Sequence, residues 1–190
     1  MRFLAVAVAV IAALAGPARA APWVMDPEHA VVTFRGNHLG FSMVYGTFRE
    51  LSAEIDFDPE NIEATKVRFV IQAASVDTLS KARDKSLRSK EMLDTENFPE
   101  IVFESTAVAQ TGPQTADITG NLTIKGVTKE VTFQAQLRKI GPSPFDPSKT
   151  VAGFTVSGTI IRTDYGVSFA APAIGVEIPF QVDLEMSPAQ

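Results

Sequence analysis

Val176-Glu177-Ile178-Pro179-Phe180-Gln181-Val182-Asp183-Leu184-Glu185-Met186 alternates without a break: every even position is apolar, every odd one Glu, Pro, Gln or Asp. A strand turns successive side chains to opposite faces, so this segment is a strand with one buried face. Working back along the chain, the same period recurs at Phe154/Val156/Gly158/Ile160, Val131/Phe133/Ala135/Leu137, Ile118/Gly120/Leu122/Ile124 and Ile101/Phe103. It recurs again at Val67/Phe69/Ile71, Ala53/Ile55/Phe57, Val44/Gly46/Phe48 and Val32/Phe34. Polar or Gly/Pro connectors such as Pro59-Glu60-Asn61, Gly112-Pro113 and Lys125-Gly126 separate the runs. Eight or nine sequential strands with short links pair as antiparallel neighbours, which predicts an all-β meander.

Residues 80–93 carry no alternation and are rich in Lys, Arg, Ser and Leu. Asp77 or Ser80 is placed to cap a helix there, with Asn97-Phe98-Pro99 to end it. One-face-apolar strands in this number form a sandwich, a barrel around a packed core, or a barrel around a cavity. Strands of about 10–14 residues favour a tall barrel; eleven residues tilted near 40° span about 28 Å, and eight strands leave width for one slim ligand. Gly46, Gly120, Gly153 and Gly158 fall inside strands, where glycine marks a bend or a close approach. A membrane-spanning barrel also alternates, but it needs Trp/Tyr girdles. Here Trp23, Tyr45 and Tyr165 are the only such residues, and twelve Phe after residue 20 scatter along strand interiors.

The N-terminus reads Met1-Arg2, an apolar run from Phe3 to Ala15, then Gly16-Pro17-Ala18-Arg19-Ala20. This is the pattern of a secretory signal over residues 1–20, cleaved after Ala20 and leaving one domain over 21–190. Its 13 apolar residues are too few to span a bilayer. Without Arg2 and Arg19, 15 positive charges face 22 negative ones, a net charge of −7. An acidic chain offers no global basic face to a phosphate backbone, which argues against nucleic acid. The absence of Cys closes thiolate metal sites, disulfides and cysteine nucleophiles together. The natural destination is a periplasm-like compartment.

The start of the mature chain, Trp23-Val24-Met25-Asp26-Pro27-Glu28-His29-Ala30-Val31-Val32-Thr33-Phe34, is followed by His38-Leu39-Gly40 and Gly46-Thr47-Phe48. Further blocks come in order: Leu87-Arg88-Ser89, Asp94, Phe98-Pro99-Glu100-Ile101-Val102-Phe103, Gly120 to Thr128, Ile161-Arg162-Thr163-Asp164-Tyr165-Gly166 and Gly175-Val176-Glu177-Ile178. This series closely resembles the YceI-like family of periplasmic polyisoprenoid- and lipid-binding proteins. The resemblance implies a lipocalin-like extended antiparallel β-barrel of about eight strands with one short helical insertion. It implies a non-enzymatic carrier of a polyisoprenoid, isoprenoid quinone or fatty-acid derivative. No cofactor is implied beyond that bound lipid or quinone. Two departures, Leu39-Gly40-Phe41-Ser42-Met43 and Met92-Leu93, are expected to reshape the cavity mouth.

Strand parity nominates the lumen wall: Val32, Phe34, His38, Val44, Phe48, Phe69, Ile71, Phe103, Phe133, Leu137, Phe154, Val156, Ile178, Phe180 and Val182. Arg83, Arg88 and Arg162 are candidates for a head-group rim, with Arg162 expected to pair a carboxylate. The segment Lys81 to Glu91 holds five positive and two negative charges, enough for a local basic rim facing anionic lipid. Asp26 and His29 lie three apart, which suits a turn with a partly buried His29 better than a metal pair. No catalytic constellation and no metal set is read from the chain, and an enzyme acting on a lipid or quinone is the alternative of a different class. The reading leaves room for transient membrane contact during ligand transfer and for a homodimer.

Overall fold

The computed structural model describes residues 21–189, so the signal sequence read over residues 1–20 lies outside the described residues. The strands are β1 (Ala21–His38), β2 (Ser42–Phe48), β3 (Leu51–Phe57), β4 (Lys66–Gln72), β5 (Val76–Asp77), β6 (Glu100–Gly112), β7 (Thr115–Ile124), β8 (Val127–Pro142), β9 (Thr150–Ile161) and β10 (Glu177–Pro188). One α-helix, α1 (Lys81–Arg88), and short 3-10 turns at Ile62–Ala64, Ala73–Ser75 and Arg162–Tyr165 interrupt them. Neighbours pair antiparallel, and β10 returns to β1, with Phe34 opposite Phe180 and Val32 opposite Val182. The ring thus closes through β1, β3, β4, β6, β7, β8, β9 and β10: an eight-stranded antiparallel barrel, with β2 and β5 as a short branch from β1.

Strands β2 and β3 are shorter than the expected length of about 10–14 residues, for a reason of topology. β1 runs 18 residues and serves two neighbours on one side: Ala21–Trp23 pairs β3, while Val32–His38 pairs β2. β2 and β3, seven residues each, therefore share one wall position end to end. β5 extends the wall beyond β2 through Thr47 opposite Asp77 and Phe48 opposite Val76.

Alternation sends apolar side chains inward and polar ones to solvent. On β8, Phe133 and Ala135 are buried while Thr132, Gln134 and Gln136 are exposed. Outward threonines pair across strands, Thr119 with Thr132 and Thr123 with Thr128, each at 2.8 Å. This polarity is the inverse of a lipid-facing barrel, which corrects the membrane-spanning alternative. Bulges between Ser105 and Ala107 on β6 and between Leu137 and Lys139 on β8 switch the inward parity, turning Val108 and Ile140 to the inside. A larger bulge between Met25 and Ala30 on β1 does the same for Trp23 and Met25.

One end of the barrel is packed on the β1/β3 side. Trp23, Met25, Ile55, Phe57, Leu184 and Met186 cluster there, and the Trp23 indole donates to the Phe57 carbonyl at 3.1 Å. Call this the base; α1, the β1–β2 turn and the loop after Arg162 form the opposite end, the lip. At the lip α1 is capped by Ser80, whose hydroxyl accepts from the Arg83 amide. The helix stops at Arg88 rather than running to Asn97: Leu93, Asp94 and Thr95 donate backwards to carbonyls of residues 87–89, folding the chain into turns.

Candidate functional site

A cavity of about 960 Å³ runs inside the barrel, at the upper end of the roughly 300–1,000 Å³ common for small-molecule pockets. Its wall is mostly aliphatic and aromatic, with polar residues such as His38, Arg83 and Gln110 among its lining, and no large side chain among the described residues is completely buried. The inward faces therefore line a space instead of filling it. Exposed residues border the cavity at both ends: His38, Ser42, Ala82 and Arg83 at the lip, Gln110, Pro113 and Gln114 at the base.

All fifteen residues that parity nominates line this cavity. Val32, Phe34 and His38 come from β1, Val44 and Phe48 from β2, Phe69 and Ile71 from β4, and Phe103 from β6. Phe133 and Leu137 come from β8, Phe154 and Val156 from β9, and Ile178, Phe180 and Val182 from β10. Their aromatic rings meet edge-on or tilted: Phe34 with Phe48 at 5.4 Å, Phe57 with Phe154 at 5.3 Å, and Phe133 between Phe103 at 5.4 Å and Phe180 at 4.8 Å. Three of the four in-strand glycines explain how the rings fit. A Cβ on Gly46, Gly120 or Gly158 would meet a Phe ring at 2.4, 2.7 or 2.6 Å, so rings lie over bare backbone; Gly153 has no such neighbour.

Sequence reasoning misses the residues that bulges and loops bring in. Val108, Gln110 and Ile140 enter through the parity switches, and Tyr165, Val167, Phe169 and Ile174 from the segment around Arg162. The Thr65 hydroxyl is the single buried side-chain polar atom without a hydrogen-bond partner among the described residues, and Thr65 borders the cavity near its base.

The three arginines separate. Arg83 borders the cavity, its guanidinium bonded to the Thr78 hydroxyl at 2.8 Å and carbonyl at 2.7 Å. Arg88 does not reach it; its guanidinium is turned back onto the Ala74 and Val76 carbonyls, which corrects its place on the rim. Arg162 is buried against the cavity and, among the described residues, pairs no carboxylate. It donates instead to the carbonyls of Gly175 at 2.9 Å, Val167 at 2.6 Å and Ile174 at 2.8 Å, tying down the loop that follows it. Burial pushes its pKa below the ordinary arginine value, yet a guanidinium remains charged at neutral pH. Neighbouring Asp164 points outward to Lys129 at 3.7 Å.

Asp26 and His29 sit in the β1 bulge on the outside of the barrel. The Asp26 carboxylate accepts from the Glu28 amide and meets His29 Nδ1 at 3.0 Å, while the imidazole is exposed, not partly buried as expected. The one close carboxylate–imidazole pair among the described residues is thus remote from the cavity. Of the two divergent segments, Met92 and Leu93 do shape the wall. In Leu39–Met43 only Ser42 does; Leu39, Phe41 and Met43 face solvent.

A family model described as "YceI-like domain" matches residues 23–186. Protein YceI of Salmonella arizonae is 41% identical over 172 residues, covering 90% of this chain and 88% of its own. A UPF0312 protein of Enterobacter sp. is 39% identical over 186 residues, 97% of this chain and 95% of its own. Among solved structures, the Campylobacter jejuni YceI protein superposes with a TM-score of 0.73 at 28% identity, over 81% of this chain and 90% of its own. Burkholderia cenocepacia BcnA gives 0.77 at 23% identity, over 85% and 98%. A polyisoprenoid binding domain of Saccharophagus degradans gives 0.70 at 14% identity, over 89% and 99%. With the closed barrel, its apolar interior and these matches in agreement, the chain belongs to the YceI-like family.

Proposed function

We propose that this protein is a non-enzymatic periplasmic carrier that holds a long-chain amphiphile, a polyisoprenoid, isoprenoid quinone or fatty-acid derivative, in the barrel lumen. The observation that carries the reading is the cavity of about 960 Å³ walled by the inward apolar face of every long strand. Each methylene buried there contributes ~0.8 kcal/mol, so twelve contribute about 10 kcal/mol gross before ordering costs. Such a wall needs few polar contacts to bind tightly. The polyisoprenoid binding of the Saccharophagus degradans domain, as its name states, supports a prenyl chain as one candidate. The periplasmic location rests on the signal pattern of residues 1–20.

The test is organic extraction of protein purified from its own periplasm, followed by mass identification of the released molecule. A stoichiometric long-chain lipid or quinone is expected. Lipid-free protein that also fails to take up fatty acid or quinone in titration would overturn the carrier reading.

A further inference from the structure

We infer that the outer lip of the barrel, built from Leu39, Phe41, Met43, Tyr45 and Leu79 beside the basic face of α1, docks onto an anionic lipid bilayer. The inference rests on the carrier reading for its purpose, and on the surface itself for its substance. Phe41 is 89% exposed, Leu79 93% and Tyr45 64%, with Leu39 and Met43 above 40%. Single exposed apolar residues are ordinary, but a contiguous patch marks an interaction site.

Register makes the patch contiguous. Met43 and Tyr45 lie opposite Asn37 and Arg35 and share the outward face of β2, with Phe41 at the turn above them. Thr47 pairs Asp77, and the Thr78 side chain lies over Gly46, which brings the Leu79 turn alongside β2. Leu39 and Leu79 also hold left-handed backbone, φ 57° and 63°, which a residue with a Cβ adopts reluctantly. Packing gives nothing in return for large side chains at these places, so the fold alone does not account for them.

Charge selects the occupant. The chain carries a net charge of −5, yet Lys81, Arg83 and Lys85 are exposed on α1, and Arg35 flanks Tyr45. Among the described residues, none of these four stands within ion-pairing distance of a carboxylate. The acid of α1, Asp84, is buried and turned onto Thr78. Exposed apolar side chains flanked by unpaired cations complement an anionic lipid surface. His38, Ser42 and Arg83 open the cavity at this same lip, so docking would set the mouth against the bilayer.

The test is co-sedimentation of the purified protein with vesicles of phosphatidylglycerol and phosphatidylethanolamine, against vesicles of phosphatidylcholine alone. Binding is expected to the anionic vesicles and to fall steeply at high salt. Each charge reversal in Lys81→Glu and Lys85→Glu should weaken it at least about fivefold, and Phe41→Asp with Leu79→Asp should abolish it. These side chains are exposed, so melting temperatures should hold. Phe145→Asp is the control: Phe145 is 99% exposed, but in the β8–β9 loop at the base, and its replacement should leave binding unchanged. No binding by the native protein, equal binding to neutral vesicles, or equal loss in the Phe145 variant overturns the inference. So does a native dimer that Phe41→Asp converts to monomer without any effect on vesicles. Extracted lipid is read separately, so a carrier that ignores vesicles, or a vesicle binder that carries nothing, shows which of the two readings failed.

Discussion

Phe180 and Gly158 stand directly opposite each other across β10 and β9, and a Cβ on Gly158 would lie 3.0 Å from the Phe180 ring and 2.6 Å from that of Phe133. The ring of one strand lies over the bare backbone of the next, and the lumen keeps its width because of it. Gly158→Ala should drive both rings inward, at about 1–3 kcal/mol of stability. Affinity for a bulky prenyl chain should fall more than affinity for a straight fatty acid. Thermal melts together with titration of both ligand types check this; equal affinities with an unchanged melt would show that the rings have another way out.

Wall residues should divide by how far they are buried. Phe133 is 7% exposed and touches two other rings, so Phe133→Ala should cost about 3–5 kcal/mol. Phe34 is only half-buried and faces Phe48 nearer the lip, so Phe34→Ala should cost ~1–2 kcal/mol. Denaturant titration ranks the two, and lipid binding should weaken in the second while the barrel stays folded.

Arg162 holds three carbonyls of one loop with a single planar group. Arg162→Gln would leave two or more of them unpaired, at roughly 3 kcal/mol, and Lys should not rescue it because an ammonium lacks the fork. Hydrogen exchange reads the effect locally: amides of residues 166–175 should lose protection while those of β6 and β7 keep theirs. Uniform loss across the barrel would instead mark Arg162 as part of the global core.

The Asp26–His29 pair gives a pH signature. The hydrogen bond to Asp26 raises His29 above its ordinary 6.5, and the same bond holds Asp26 below its ordinary 3.8. A raised histidine adds stability below its unfolded pKa and loses it as pH rises through the folded one; a lowered carboxylate adds stability above its unfolded pKa and loses it as pH falls. The contribution is therefore full between about 4 and 6.5 and gone in alkali. The pair is exposed, so the effect is small. Melting curves of wild type and His29→Ala should diverge in that window and merge above it, and a proton NMR titration should place His29 above 6.5.

The period-two pattern carried most of this architecture because parity is a local property: Val176 to Met186 shows its inner face without reference to any partner. What parity cannot show is where it breaks. The bulges at Ser105/Ala107 and Leu137/Lys139 leave no composition signal, so Val108 and Ile140 reach the cavity unannounced. Arg162 was expected to find a carboxylate because sequence displays charges and hides carbonyls. Arg88 follows the same logic, bonded to the Ala74 and Val76 carbonyls instead of standing at the rim. The divergent segment Leu39–Met43 was legible as unusual but not as outward-facing, since a turn has no period to read.

The cavity is bordered by exposed residues at the lip and again at the base, by Gln110, Pro113 and Gln114. The lumen gauges girth, through rings stacked over glycines. Its base is packed on one side by Trp23, Met25, Phe57 and Met186, and that cluster limits how far a tail descends. Homologues whose tails differ in thickness would then differ at the glycine–phenylalanine contacts, and those whose tails differ in length at the packed side of the base.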